Sequence, residues 1–228
     1  MKKIFFLAAA ILAAVTSNAQ RIEFTEAIAV ADFGASKVFA NGEVELEAVN
    51  VAGKMSVDAN KTKFGTSSAD MWQSAFRLKT GGASSVAEGK EMGLTLYVPS
   101  AGVVKVYART ASGAAERAII MTQDGNEVFN HAYLDAQAVV EGDITIYPIY
   151  TSEKVAAGEI NIEFGKVPEG GAGSNGGVNI YAIEFVADPE TAISNTTLAP
   201  KAQKIMENGQ LVILRDGVKY NALGAVID

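Results

Sequence analysis

Gly176-Gly177-Val178-Asn179-Ile180-Tyr181-Ala182-Ile183-Glu184-Phe185-Val186 is the stretch whose reading decides the fold. Tyr181, Ile183 and Phe185 alternate with Ile180, Ala182 and Glu184, a period of two that predicts a β-strand with one dry face and one partly wet face. The glycines from Gly170 to Gly177 punctuate its start. The strand comes late in the chain, so it reads as the closing strand of a body built before it.

Working back from it, apolar alternation recurs about every ten residues with turn residues between, the pattern of a sandwich or jelly roll. Glu43-Val44-Glu45-Leu46-Glu47-Ala48-Val49 sets three glutamates on one side and apolar residues on the other, a strand with a solvated face. Lys54 to Asp58 predicts another strand, Asn60 to Ser68 a polar loop, and Trp72 to Thr80 extended chain with Phe76 and Leu78 opposite Arg77 and Lys79. Leu94, Leu96 and Val98 lead through Pro99-Ser100-Ala101-Gly102 into Val104 to Arg109, which predicts an antiparallel pair. Asp124-Gly125-Asn126 predicts a tight reversal between Arg117 to Gln123 and Glu127 to Tyr133. Asp143 to Thr151 and Glu159 to Gly165 supply two more strands. Arg21 to Asn41 supplies the first one or two.

At the two ends the character changes. Lys2 and Lys3, the apolar run Ile4 to Val15 and the small residues Ser17-Asn18-Ala19 have the order of a signal peptide over residues 1–19. The apolar run is short for a membrane span, and no later stretch of the sequence approaches the required length. The expected organisation is a signal peptide (1–19), an all-β sandwich or jelly-roll domain (20–187), a linker (188–203) rich in Thr, Ala, Ser, Asn and Pro, and a C-terminal hairpin segment (204–228) turning at Asp216-Gly217. This places the mature protein outside the cytoplasm, extracellular, on the cell surface or in the periplasm.

Composition narrows the chemistry. There is no cysteine, so disulfides, thiolate nucleophiles and Cys-ligated zinc are excluded. A formal charge of −7 opposes nucleic-acid binding, which needs a basic surface. No Gly-x-Ser-x-Gly elbow, His-Glu-x-x-His pair or phosphate-binding loop is present, and His131, the one histidine, lies in an alternating run as a half-buried strand residue. A glycoside-active enzyme is an alternative that rests on acid pairs alone. No cofactor is implied. Asp58-Ala59-Asn60-Lys61-Thr62 alternates oxygen-bearing side chains as a calcium loop does, but without the glycine and terminal glutamate of that loop it reads as a polar turn.

The candidate binding residues follow from the outward strand positions. Arg77 and Lys79, then Lys105, Tyr107 and Arg109, then Arg117 place cations where glutamates are not, and Trp72 and Tyr107 are the candidate stacking platforms. Such a face suits carboxylated sugars, with Arg holding carboxylates and an aromatic ring stacking on a pyranose. The plainer alternative is solvated charge paired with acids on neighbouring strands.

Phe76-Arg77-Leu78-Lys79-Thr80-Gly81-Gly82, Gly102-Val103-Val104-Lys105-Val106-Tyr107-Ala108-Arg109-Thr110, Glu116-Arg117-Ala118-Ile119-Ile120 and Val178-Asn179-Ile180-Tyr181-Ala182-Ile183 carry a resemblance over Lys54 to Val186. The chain there resembles the β-sandwich modules of secreted Bacteroidetes pectate lyases and related proteins, which are akin to carbohydrate-binding jelly rolls. The resemblance implies a non-catalytic, polysaccharide-binding module without a lyase domain. Glu207 to Asn221 resembles the short form of the C-terminal sorting tail of the type IX secretion route, without its longer upstream part, and so implies outer-membrane or secretion machinery as a partner. A surface or adhesion protein with no small ligand is the other class these features allow. Mass spectrometry of the native protein is expected to find Gln20 at the N-terminus. An intact Met1 in a cytoplasmic fraction would overturn the signal reading.

Overall fold

A computed structural model describes residues 19–85, 91–171, 173–189, 203–207, 210–215, 218–221 and 226–227. The signal segment apart from Ala19, most of the expected linker and the Asp216-Gly217 turn lie outside the described residues. Contacts divide the chain into a unit ending at Asp188 and a second unit from Pro189 onward.

The strands of the first unit are β1 (Gln20–Glu23), β2 (Ser36–Asn41), β3 (Val44–Asn50), β4 (Ser56–Ala59), β5 (Lys63–Phe64), β6 (Trp72–Gln73), β7 (Phe76–Lys79) and β8 (Met92–Val98). They continue with β9 (Gly102–Thr110), β10 (Arg117–Gln123), β11 (Asn126–Tyr133), β12 (Val139–Glu141), β13 (Ile144–Tyr147), β14 (Tyr150–Thr151), β15 (Gly158–Lys166) and β16 (Val178–Ala187). The protein is an all-β sandwich. An inner sheet runs β14-β9-β16-β7-β4 with β1 also on β16, and a front sheet runs β11-β10-β15-β8-β3-β2. The main core lies between them, where Leu46, Leu96, Ile160 and Phe164 of the front sheet meet Leu78, Val104, Ile180 and Phe185 of the inner one. Each of these side chains is at most 1 % exposed, and burial of this kind contributes roughly 1.5–3 kcal/mol per large side chain.

The second unit is an antiparallel sheet of β17 (Gln203–Glu207), β18 (Gln210–Arg215), β19 (Val218–Asn221) and β20 (Val226–Ile227). The β18–β19 pair is the C-terminal hairpin, here flanked by two further strands.

A third layer was not legible in the sequence. The sheet β12-β13-β5-β6 contains a parallel pair, β5 with β13, and its residues pack on the far side of the inner sheet. Phe64, inside the stretch expected to be a polar loop, is fully buried there against Tyr107 and Tyr181. β13 and β6 lie in stretches read as extended, but β5 lies in the expected polar loop, and a strand of two residues shows too little alternation to be read.

Two further expectations are corrected. The Leu94–Val98 and Val104–Arg109 strands do not pair: β8 joins β3 and β15, whereas β9 joins β16 and β14. The Pro99–Gly102 turn carries the chain from one sheet to the other. Gly102 is needed there because a Cβ would sit 2.3 Å from the Val186 carbonyl oxygen. The closing strand β16 also departs from simple alternation. Its pairing with β9 shifts between Ile180 and Ala182, so Tyr181 is the extra residue of a β-bulge. Ile180 therefore joins Ile183 and Phe185 in the main core, while Tyr181 joins Ala182 on the opposite face. That face is dry, since from Val178 to Phe185 every residue is buried.

The Asp124-Gly125 reversal forms as expected, with positive φ at both residues, 51° and 79°. Gly165 has the same φ of 79°, but a Cβ there would lie 2.0 Å from the Gly176 carbonyl oxygen, while at Gly125 it would meet nothing within 4 Å. Gly125→Ala is therefore expected to cost about 1 kcal/mol and Gly165→Ala more than about 3 kcal/mol in chemical denaturation. Equal costs would mean that the close approach of Gly165 to Gly176 does not constrain the fold.

Candidate functional site

Five of the seven residues singled out from the sequence, Arg77, Lys79, Lys105, Tyr107 and Arg109, share the outer face of the inner sheet. Register shows why. Asn179 of β16 pairs with both Lys79 and Arg109, and Glu184 pairs with Lys105. Trp72 reaches the same place from the third sheet, edge-on to Tyr107 at 5.2 Å. Arg117 does not join them. It lies in the front sheet, 6 % exposed, with its guanidinium close against Gly176 and Nη1 donating to the Glu116 carbonyl at 2.9 Å.

The sequence missed the group that organises this face, Glu184 with Arg21. Glu184 Oε2 accepts from Arg21 Nε at 2.6 Å and from the Tyr107 hydroxyl at 2.9 Å, and Oε1 accepts from Lys105 Nζ at 3.0 Å. The Arg21 guanidinium lies 5.0 Å from the ring centres of both Trp72 and Tyr107. Burial pushes the Glu184 carboxyl up, but the hydrogen bonds from Lys105, Arg21 and Tyr107 outweigh it and hold the group below the usual carboxylate range. Burial and the neighbouring Glu184 push the Tyr107 phenol well up, so it stays a neutral donor.

The remaining cations of this face are also matched. Arg77 donates to both oxygens of Asp58 at 2.7 and 3.2 Å, and Lys79 lies 3.5 Å from the same carboxylate. Arg109 donates to both oxygens of Asp135 at 3.2 and 2.8 Å and stacks over Tyr147 at 4.0 Å. The plainer alternative raised by the sequence describes this face. Tyr107, 2 % exposed, has no ring face to offer a sugar. Asp58 is engaged by Arg77, and Thr62 donates to Asn60 at 2.6 Å, so the Asp58–Thr62 stretch, expected as a turn, is the end of β4 followed by an irregular, internally bonded segment. No group of three or more metal-ligating side chains occurs among the described residues.

His131 is half-buried. It stacks on Tyr150 at 3.4 Å between centroids, and burial lowers its pKa.

The open surface lies elsewhere. On the outward side of the front sheet a cleft of about 830 Å³ crosses β3, β8, β15 and β10, within the size range of ligand sites. Its lining includes Ser84, Ser85, Glu91, Thr95, Thr122, Asn161, Glu163 and Lys166. Register puts Glu47, Thr95, Asn161 and Thr122 in one line across the four strands. Among the described residues the side chains of Thr95, Thr122 and Asn161 have no hydrogen-bond partner. Ser84 is anchored, its amide donating to the Phe164 carbonyl at 2.8 Å and its hydroxyl accepting from the Phe164 amide at 3.0 Å. Gly93 lies in the floor, and a Cβ there would meet nothing within 4 Å. Tyr97, two residues beyond Thr95 on the same side, is 37 % exposed. Thr95, Thr122 and Asn161 were readable as outward strand positions. That they are neighbours follows only from the strand order.

Compared with known proteins, the chain matches no family model and no curated protein. Among the described residues no helix is long and apolar enough to cross a membrane.

Glu184→Gln keeps the shape and removes the charge that Arg21 and Lys105 share. It is expected to cost about 2–3 kcal/mol at pH 7. Because the folded-state pKa of Glu184 is lowered, its contribution is present above the ordinary glutamate range, near pH 4.3, and is lost as pH falls through the depressed value. The stability gap between wild type and variant should therefore close on acidification, as read by urea unfolding at stepped pH. A gap that is constant with pH would remove the charge from the account.

Proposed function

We propose that the first unit is a non-catalytic carbohydrate-binding module of an exported protein, and that the cleft on the front sheet is where it holds a polysaccharide. The observation that carries this reading is the cleft itself: an open trough over four strands, where the hydroxyls of Thr95 and Thr122 and the amide of Asn161 have no internal partner among the described residues. Those groups donate to and accept from sugar hydroxyls, and Tyr97 offers an aromatic surface beside them. The resemblance to secreted β-sandwich modules supports the same reading, and on it the C-terminal strands serve as an address read by secretion machinery. The binding face differs from the one the basic residues suggested, because those residues are engaged with one another's counter-charges.

Gly93→Trp supplies the test, since the side chain enters open space in a β-conformation that favours aromatics. On a glycan array followed by titration, wild type is expected to bind, and the variant to lose at least about tenfold in affinity, roughly 1.4 kcal/mol, with unchanged melting. Silence of the wild-type protein across the array would favour a surface protein without a small ligand.

A further inference from the structure

The direction and charge of the cleft narrow what it can hold. Its polar groups recur once per strand, and neighbouring strands lie about 4.8 Å apart, so the line from Glu47 to Thr122 spans roughly 14 Å. An extended glycan advances by a similar step per ring. A chain laid across the strands therefore meets Glu47, Thr95, Asn161 and Thr122 in turn, ring after ring, instead of presenting one terminal sugar to one pocket. Beside it Val49 pairs with Gly93 and Glu163 with Ile120, and the missing side chain of Gly93 deepens the floor.

Charge decides the kind of chain. Glu45, Glu47, Glu91, Glu159 and Glu163 lie on or around this face, and Glu45 and Glu159 flank Tyr97 on the neighbouring strands. Among the described residues Lys166 is the cation in the lining, and it is paired with Glu163. Carboxylates accept from sugar hydroxyls in strong charge-assisted bonds, but they repel the carboxylates of a polyuronate.

Building on the carbohydrate reading above, we propose that the ligand is an uncharged polysaccharide bound mid-chain across β3, β8, β15 and β10, and that the same face turns away uronate polymers. Glu47, which has no ion-pair partner among the described residues, sets this selectivity, and Thr95 and Asn161 supply the hydroxyl contacts.

The experiment is calorimetric titration of the full mature chain with ladders of neutral cello-, xylo-, manno- and galacto-oligosaccharides and with galacturonate oligomers. Affinity for at least one neutral ladder is expected to rise with length up to roughly four rings and then level off. Galacturonate oligomers are expected to bind at least about tenfold more weakly at low salt, with the gap narrowing at high salt. Glu47→Gln is expected to narrow it at low salt, and Asn161→Ala to weaken neutral binding. Length-independent binding of a monosaccharide, or galacturonate binding as tight as neutral binding, would overturn this inference while leaving the carbohydrate reading standing. Failure of every neutral and acidic ladder would bring down both. Neutral binding that is indifferent to Gly93→Trp and Asn161→Ala would place the ligand off this face and overturn the inference alone.

Discussion

The structure depends on a central strand that is buried on both sides. Between Val178 and Phe185, β16 has no wet face, so its outward residues must be satisfied inside the protein. Apolar burial does this for Ala182 and for the ring of Tyr181, whose buried hydroxyl has no hydrogen-bond partner among the described residues, and Glu184 is satisfied by Arg21, Lys105 and Tyr107. An unpaired carboxylate at that depth would cost several kcal/mol, which is why the three donors converge from β1 and β9. The third sheet exists to complete this environment. Its contribution is Phe64, Trp72 and Tyr147, the aromatic cover over the outer face of β16 and β9.

This arrangement separates the two charged faces of the molecule. Behind the inner sheet, cations and anions neutralise one another under aromatic rings, and the result is cohesion. On the front sheet Glu163 is paired with Lys166, but Glu45, Glu47 and Glu159 have no ion-pair partner among the described residues, and the result is a surface open to solvent. The same residue types thus hold structure on one side and remain free to meet a ligand on the other.

Much of the fold was legible because the long strands keep their period. Val44 to Val49, Leu94 to Val98 and the Asp124-Gly125 hairpin could be read directly from alternation and turn chemistry. Three things could not. The bulge at Tyr181 shifts the face of every residue before it by one, and no local composition announces it. The short strand carrying Phe64 has no period to detect. Partnership between strands distant in sequence, such as Glu47 beside Thr95 or Glu184 beside Arg21, is a property of topology, so charges that looked like one cationic patch proved to be halves of ion pairs.

The place of β1 has a kinetic side. Gln20 to Glu23 pairs with Ala182 to Phe185, so the first strand of the body lies against the last, filling the edge of β16 that β7 leaves uncovered. Contacts this distant in sequence form slowly, because nearly the whole chain must be gathered before they are rewarded. Until β16 is present, Glu184 is absent from beneath Arg21 and Lys105, and the inner sheet lacks its middle. The chain is thereby kept from closing its inner sheet while it is still emerging, because its first strand must wait for β16.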